Sequence, residues 1–130
     1  MKPINRLMTN ICSENLGESK HFYTTLFDFQ INYDSDWFIH LMSINQQLEL
    51  GIIDKKNDLV PASFQKEPNG FYLTFVVDNA EELFEIAKQN SFTIVNEPID
   101  TDYGQRRLLL KDPDGTLVDV SSPIPNFSFQ

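Results

Sequence analysis

Apolar and polar positions along this chain fall into the same order twice. Residues 4–11 read as a mixed strand. Asn15 then precedes Glu18 by three residues, the spacing of a helix N-cap with its reciprocal acidic partner. Phe22, Tyr23, Leu26 and Phe27 follow at three- and four-residue steps and make one apolar stripe. Three strand-like runs come next, over 29–33, 37–44 and 47–53.

The second copy opens at 70–77, a run rich in β-branched and aromatic residues. Asn79 and Glu82 repeat the cap spacing, and Ala80, Leu83, Phe84 and Ala87 repeat the stripe. Strands are expected over 92–95, 106–111 and 117–120. The tight turn Asp112-Pro113-Asp114-Gly115 joins the last two, with Gly115 free to take positive φ. Between the copies lies a polar linker, about 55–69, with Pro61 and Pro68; an extended tail, 122–130, carries Pro123 and Pro125. Phe127 and Phe129 of that tail are candidates to dock on a neighbouring surface.

Each copy predicts a βαβββ module, the first over about 1–54 and the second over about 70–121, inside one domain spanning 1–130. One helix covers one face of a four-stranded sheet. The expected class is α+β: two tandem modules side by side as a half-open barrel-like sheet, with a central cleft for a ligand.

Composition narrows the function. A net charge of −9 argues against nucleic acid, whose phosphates call for clustered Lys and Arg, and against an anionic membrane. It attracts a cationic small ligand, or serves only solubility. Phe supplies 11 of the aromatic residues, so either the core is Phe-rich or rings line a pocket. The single cysteine, Cys12, excludes an intrachain disulfide; with no thiolate-activating neighbour in sequence, it is expected to be a buried, inert thiol. Residues 1–5 lack a signal-peptide apolar region, and no apolar run approaches the ~20 residues of a bilayer span. A soluble, cytoplasmic protein is expected.

Three stretches resemble a known family. Asn15-Leu16-Gly17-Glu18-Ser19-Lys20-His21-Phe22-Tyr23, continuing to Leu26-Phe27-Asp28-Phe29, is similar to the first-helix pattern of the vicinal-oxygen-chelate superfamily, the glyoxalase/bleomycin-resistance/extradiol-dioxygenase group. Phe75-Val76-Val77-Asp78 resembles the strand that opens its second module. Gly104-Gln105-Arg106-Arg107 with Asp112-Pro113-Asp114-Gly115-Thr116-Leu117-Val118-Asp119 resembles its C-terminal signature. In metal-dependent members one His, Glu or Gln ligand comes from each of four strands. The resemblance places these positions at Met8 (or Asn10), Glu49, Tyr72 and Asp119. A thioether and a phenol are poor ligands for Zn, Ni, Mn or Fe(II), and two carboxylates alone make a weak site. A catalytic metal is therefore not favoured; were one present, Glu49, Asp119 and His40 would hold it.

His21 lies on the first helix and is expected to be exposed. His40 alternates with Phe38 and Met42 and is expected to face the cleft. Asp34 and Asp36 stand beside Trp37 and Phe38, a combination suited to stacking and cation–π contact; alternation lets only one of the two rings face the cleft. Of Arg106 and Arg107 one points inward; Arg106 is taken as the cleft candidate, and an inward arginine favours an anionic ligand. The resemblance implies a homodimeric small-molecule-binding protein, in the manner of bleomycin resistance, that sequesters a drug or an aromatic metabolite without a metal. The alternative is a metal-dependent glyoxalase-like lyase or isomerase, or a dioxygenase-type enzyme.

Overall fold

Both helices start where an asparagine side chain meets free backbone N–H groups. Asn15 Oδ1 accepts from Glu18 N at 3.1 Å, and Asn79 Oδ1 accepts from Glu81 N and Glu82 N at 3.1 and 3.3 Å. The structure, a computed structural model, describes residues 2–127. Its elements are β1 (Thr9–Ser13), α1 (Leu16–Leu26), β2 (Gln30–Asp34), β3 (Phe38–Met42), β4 (Glu49–Asp54), β5 (Tyr72–Val76), α2 (Ala80–Gln89), β6 (Thr93–Asp100), β7 (Gln105–Lys111) and β8 (Leu117–Pro123). No described helix is long and apolar enough to cross a membrane.

The chain divides into two units, residues 1–68 and 69–130. Each is a βαβββ module with its own four-stranded mixed sheet, so the class is α+β as expected. The first sheet has the order β1-β4-β3-β2 and the second β5-β8-β7-β6. In both, the first strand pairs in parallel with the last, and the remaining pairs are antiparallel.

In the first module, Ser13 Oγ lies 3.1 Å from Ser19 Oγ of α1, which puts Ser13 and, by alternation, Ile11 on the helix face. Ile11, Ile39, Leu41, Leu50 and Ile52 are buried there against Phe22, Tyr23 and Leu26. The second module packs Val118, Val120, Leu108 and Leu110 against Ala80, Leu83 and Ala87, a core of smaller side chains. Phe22 is the only fully buried phenylalanine among the described residues, so the abundant Phe does not make a Phe core.

Several boundaries differ from expectation. The first strand begins at Thr9, because its ladder with β4 starts at Thr9↔Leu50; Ile4 and Leu7 lie outside it and are each 84% exposed. Trp37 precedes β3, and Leu48 precedes β4. The strand expected over 92–95 runs on to Asp100, through two register shifts and past Pro98, which an edge strand tolerates. Strand β8 reaches Pro123 rather than ending at 120, so Ser121 lies in the strand and Ser122 belongs to the sheet rather than the tail. The tail turns back on β7: Ile124 N donates to Gly104 O, and the Phe127 ring occupies the space a side chain on Gly104 would need. Phe129 lies outside the described residues. The linker contains one 3-10 turn, Ala62–Phe64, and Cys12 is half-buried rather than buried.

Candidate functional site

The far face of each sheet, turned away from its helix, carries a polar cluster built around one carboxylate. In the first module Asn10, Gly51 and His40 sit side by side on that face, because Asn10↔Gly51 and His40↔Gly51 are ladder partners. Phe38 lies two residues before His40, and its ring borders Gly51. His40 is 7% exposed and uses both ring nitrogens: Nδ1 accepts from Asn32 Nδ2 at 2.9 Å, and Nε2–H donates to Glu49 Oε1 at 2.8 Å. Asn32 can do this because it is the extra residue of a β-bulge between Ile31 and Tyr33, which turns its side chain onto the neighbouring strand.

Glu49 is held from its other side by Arg6. Arg6 Nε lies 2.9 Å from Oε1 and 2.7 Å from Oε2, and Nη2 also donates to Oε1. Arg6 Nη2 is 3.8 Å from the Met8 Sδ. The Arg6 hydrogen bonds, and then that of His40, outweigh burial and bring the Glu49 carboxyl from 4.5 down to about 2. Glu49 in turn raises the Arg6 guanidinium.

In the second module the carboxylate is Asp119, 5% exposed. Ser121 Oγ donates to Oδ1 at 2.7 Å, and Thr74 Oγ1 donates to Oδ2 at 3.1 Å. Arg107 Nε stands 3.2 Å from Oδ2, an ion pair without hydrogen-bond alignment. The Arg107 guanidinium carbon also lies 5.8 Å from the centre of the Tyr72 ring, whose residue is 52% exposed.

The structure thus brings Met8, His40 and Glu49 together in one module, and Tyr72 and Asp119 in the other. Arg106 is not with them. It forks onto Asp100 at 2.7 and 3.3 Å and reaches Glu81 of α2 at 3.8 Å, so it lies on the helix face. Arg107 is the arginine on the face of Asp119. Trp37 is half-buried with its ring 5.5 Å from that of Phe38. His21 is exposed on α1 and meets Thr25 Oγ1 at 3.2 Å.

Glu49 and Asp119 are not counterparts by register. Counted back from the caps Asn15 and Asn79, Asn10 matches Thr74. Their ladder partners are Gly51 and Asp119, so Gly51 holds the place of Asp119 in the first module. Sequence reasoning missed Arg6, Asn32, Thr74 and Ser121 as partners.

These residues do not fit a divalent metal. Every oxygen of Glu49 and Asp119 already faces a donor, an arginine stands against each carboxylate, and the remaining positions offer a thioether, an amide and a phenol. Among the described residues, no three His, Cys, Asp or Glu side chains are grouped to hold a metal ion. An open groove of about 450 Å³ lies elsewhere in the first module, by the start of α1; Glu14, Asp34, Asp36 and Asp54 border it, with Lys20 paired to Asp34 at 2.9 Å.

Comparison with known proteins agrees with this architecture. The family model described as a glyoxalase-like domain matches residues 7–125. No match is found among curated protein sequences. A glyoxalase/bleomycin resistance protein/dioxygenase family enzyme from Burkholderia phytofirmans superposes with a TM-score of 0.75 at 23% identity, covering 90% of this chain and 97% of its own. A hypothetical protein from S. aureus gives 0.73 at 22% identity, covering 93% and 95%. A lactoylglutathione lyase from Agrobacterium tumefaciens gives 0.68 at 16% identity, covering 93% and 96%. With two tandem βαβββ modules and a family match across nearly its whole length, the chain belongs to the glyoxalase-like domain family of the vicinal-oxygen-chelate superfamily.

Proposed function

We propose that this chain binds a small molecule without a catalytic metal, as a sequestering protein for a drug or an aromatic metabolite. One observation carries the reading: the carboxylate at the centre of each cluster is already neutralised by an arginine of its own module, Glu49 by Arg6 and Asp119 by Arg107. A divalent ion would have to displace a guanidinium at each, and would find no imidazole free, because both His40 nitrogens are engaged. The exposed Tyr72 and the half-buried Phe38 put aromatic surface beside these clusters, as a ligand with a planar ring requires. We take the protein to work as a cytoplasmic homodimer, in line with its family.

The test is elemental analysis of the purified protein, together with thermal melts of EDTA-stripped protein in Ni, Zn, Mn, Fe(II) and Co. An agent that binds only the folded state raises the melting temperature. No stoichiometric metal and no shift is the expected result. A stoichiometric metal with a clear shift overturns the reading and returns the lyase or dioxygenase alternative.

A further inference from the structure

The chain has three arginines, Arg6, Arg106 and Arg107. Two have filled forks: Arg6 closes on Glu49, and Arg106 on Asp100 with Glu81 behind. Arg107 differs. Its five N–H groups donate no hydrogen bond to any described residue. Its Nε is buried, and its ion-pair partner, Asp119 Oδ2, takes its aligned hydrogen bond from Thr74 instead. A guanidinium 29% exposed at its side chain, held in place by charge but with its donors unspent, is ready to grip a planar oxyanion through parallel N–H···O bonds.

The surroundings narrow the ligand further. Tyr72 lies beside the guanidinium with its residue 52% exposed, and Val76, on the same face of β5, is 70% exposed. We propose that Arg107 and Tyr72 form a binding subsite for a carboxylate carried on an aromatic ring, the carboxylate on the guanidinium fork and the ring against Tyr72 and Val76. This deepens the ligand-binding reading above, and rests on it. The acidic net charge does not forbid it. Exposed charges more than about 10 Å away are largely screened at physiological salt, whereas the fork acts at contact.

The experiment titrates the wild-type chain, in EDTA, with sodium benzoate, benzamide, benzylamine and inorganic phosphate, following amide and arginine Nε–H resonances by NMR. Benzoate is expected to shift the Arg107 Nε–H and the Tyr72 and Thr74 amides, with benzamide and benzylamine about tenfold weaker or more. Arg107→Lys keeps the charge near Asp119 but loses the fork, and should weaken benzoate about tenfold. Tyr72→Leu leaves the Arg107–Asp119 pair in place and should weaken benzoate about threefold. Benzamide binding as well as benzoate, phosphate matching benzoate, or Arg107→Lys binding like wild type would each overturn the subsite. Should Arg107→Lys not fold, the ligand series and Tyr72→Leu decide alone. A stoichiometric metal would defeat the metal-free reading whatever benzoate does; metal-free protein that ignores benzoate defeats only this subsite.

Discussion

Asn10 lies across Gly51: its Oδ1 occupies the place where a Cβ on Gly51 would stand, and the Phe38 ring closes the same space from β3, its Cε1 3.1 Å from that point. The glycine is therefore kept for room, with no demand on backbone conformation. Gly51→Ala should destabilise the protein by about 1–2 kcal/mol through overpacking. Asn10→Ala in the same background should recover most of that loss, because removing the amide frees the volume. Urea denaturation of both single variants and the double variant measures the coupling. Simple additivity would mean that the two side chains do not compete.

The Glu49 carboxyl is set well below its ordinary range by Arg6 and His40, at about 2 against 4.5. A depressed acid stabilises the folded state above its unfolded pKa and loses that contribution as pH falls through the folded value. Glu49→Gln should therefore lower the melting temperature by a constant amount from pH 7 to about pH 5. The difference from wild type should shrink below about 4.5 and vanish near 2. A difference that persists unchanged at pH 2.5 would show that the Arg6 contact is not made in solution.

Asp119 is a buried charge with three partners, Thr74, Ser121 and Arg107. Asp119→Ala strands the arginine and two hydroxyls together, and should cost about 3 kcal/mol in equilibrium unfolding. Asp119→Asn keeps an acceptor for Ser121 and should cost less. Equal losses for the two variants would assign the site to packing alone.

The hairpin between β7 and β8 depends on Asp112, 3% exposed, whose Oδ1 accepts from Asp114 N at 2.9 Å and Thr116 N at 2.8 Å. Gly115 takes φ 97° within it. Asp112→Ala leaves two N–H groups without that acceptor and should cost about 2–4 kcal/mol. Asp112→Asn should retain most of the stability, since an amide oxygen can accept both bonds. Thermal melts of the two variants compared with wild type check this.

What was legible in the sequence follows from the range of each interaction. The caps Asn15 and Asn79 and the turn at Gly115 are local, so spacing alone revealed them, and their repetition disclosed the two modules. Strand alternation placed His40 and Phe38 on one face. The partners of the carboxylates needed more. Glu49 meets Arg6 across a parallel pairing of distant segments, and the site of Asp119 is matched by Gly51 only once both ladders are known. Asn32 reaches His40 through a bulge that no composition signal marks. Arg106 and Arg107 are adjacent and equally basic; the ladder of β7 with β8 and the position of Glu81 on α2 assign the first to the helix face.

The parallel pairing of each module's first strand with its last has a kinetic consequence. Thr9 and Leu50 are partners about forty residues apart in the chain, and Tyr72 and Leu117 about forty-five. Such contacts repay their loop-closure entropy only after the intervening helix and hairpins have condensed. The strands β1 and β5 should therefore lock in late, each as the closing step of its module. Arg6, which precedes β1, reaches Glu49 only then, and Thr74 on β5 meets Asp119 in the same step of the second module. Each carboxylate gains its remaining partner in the last event of folding, so a chain stalled before closure leaves Glu49 without Arg6 and Asp119 without Thr74.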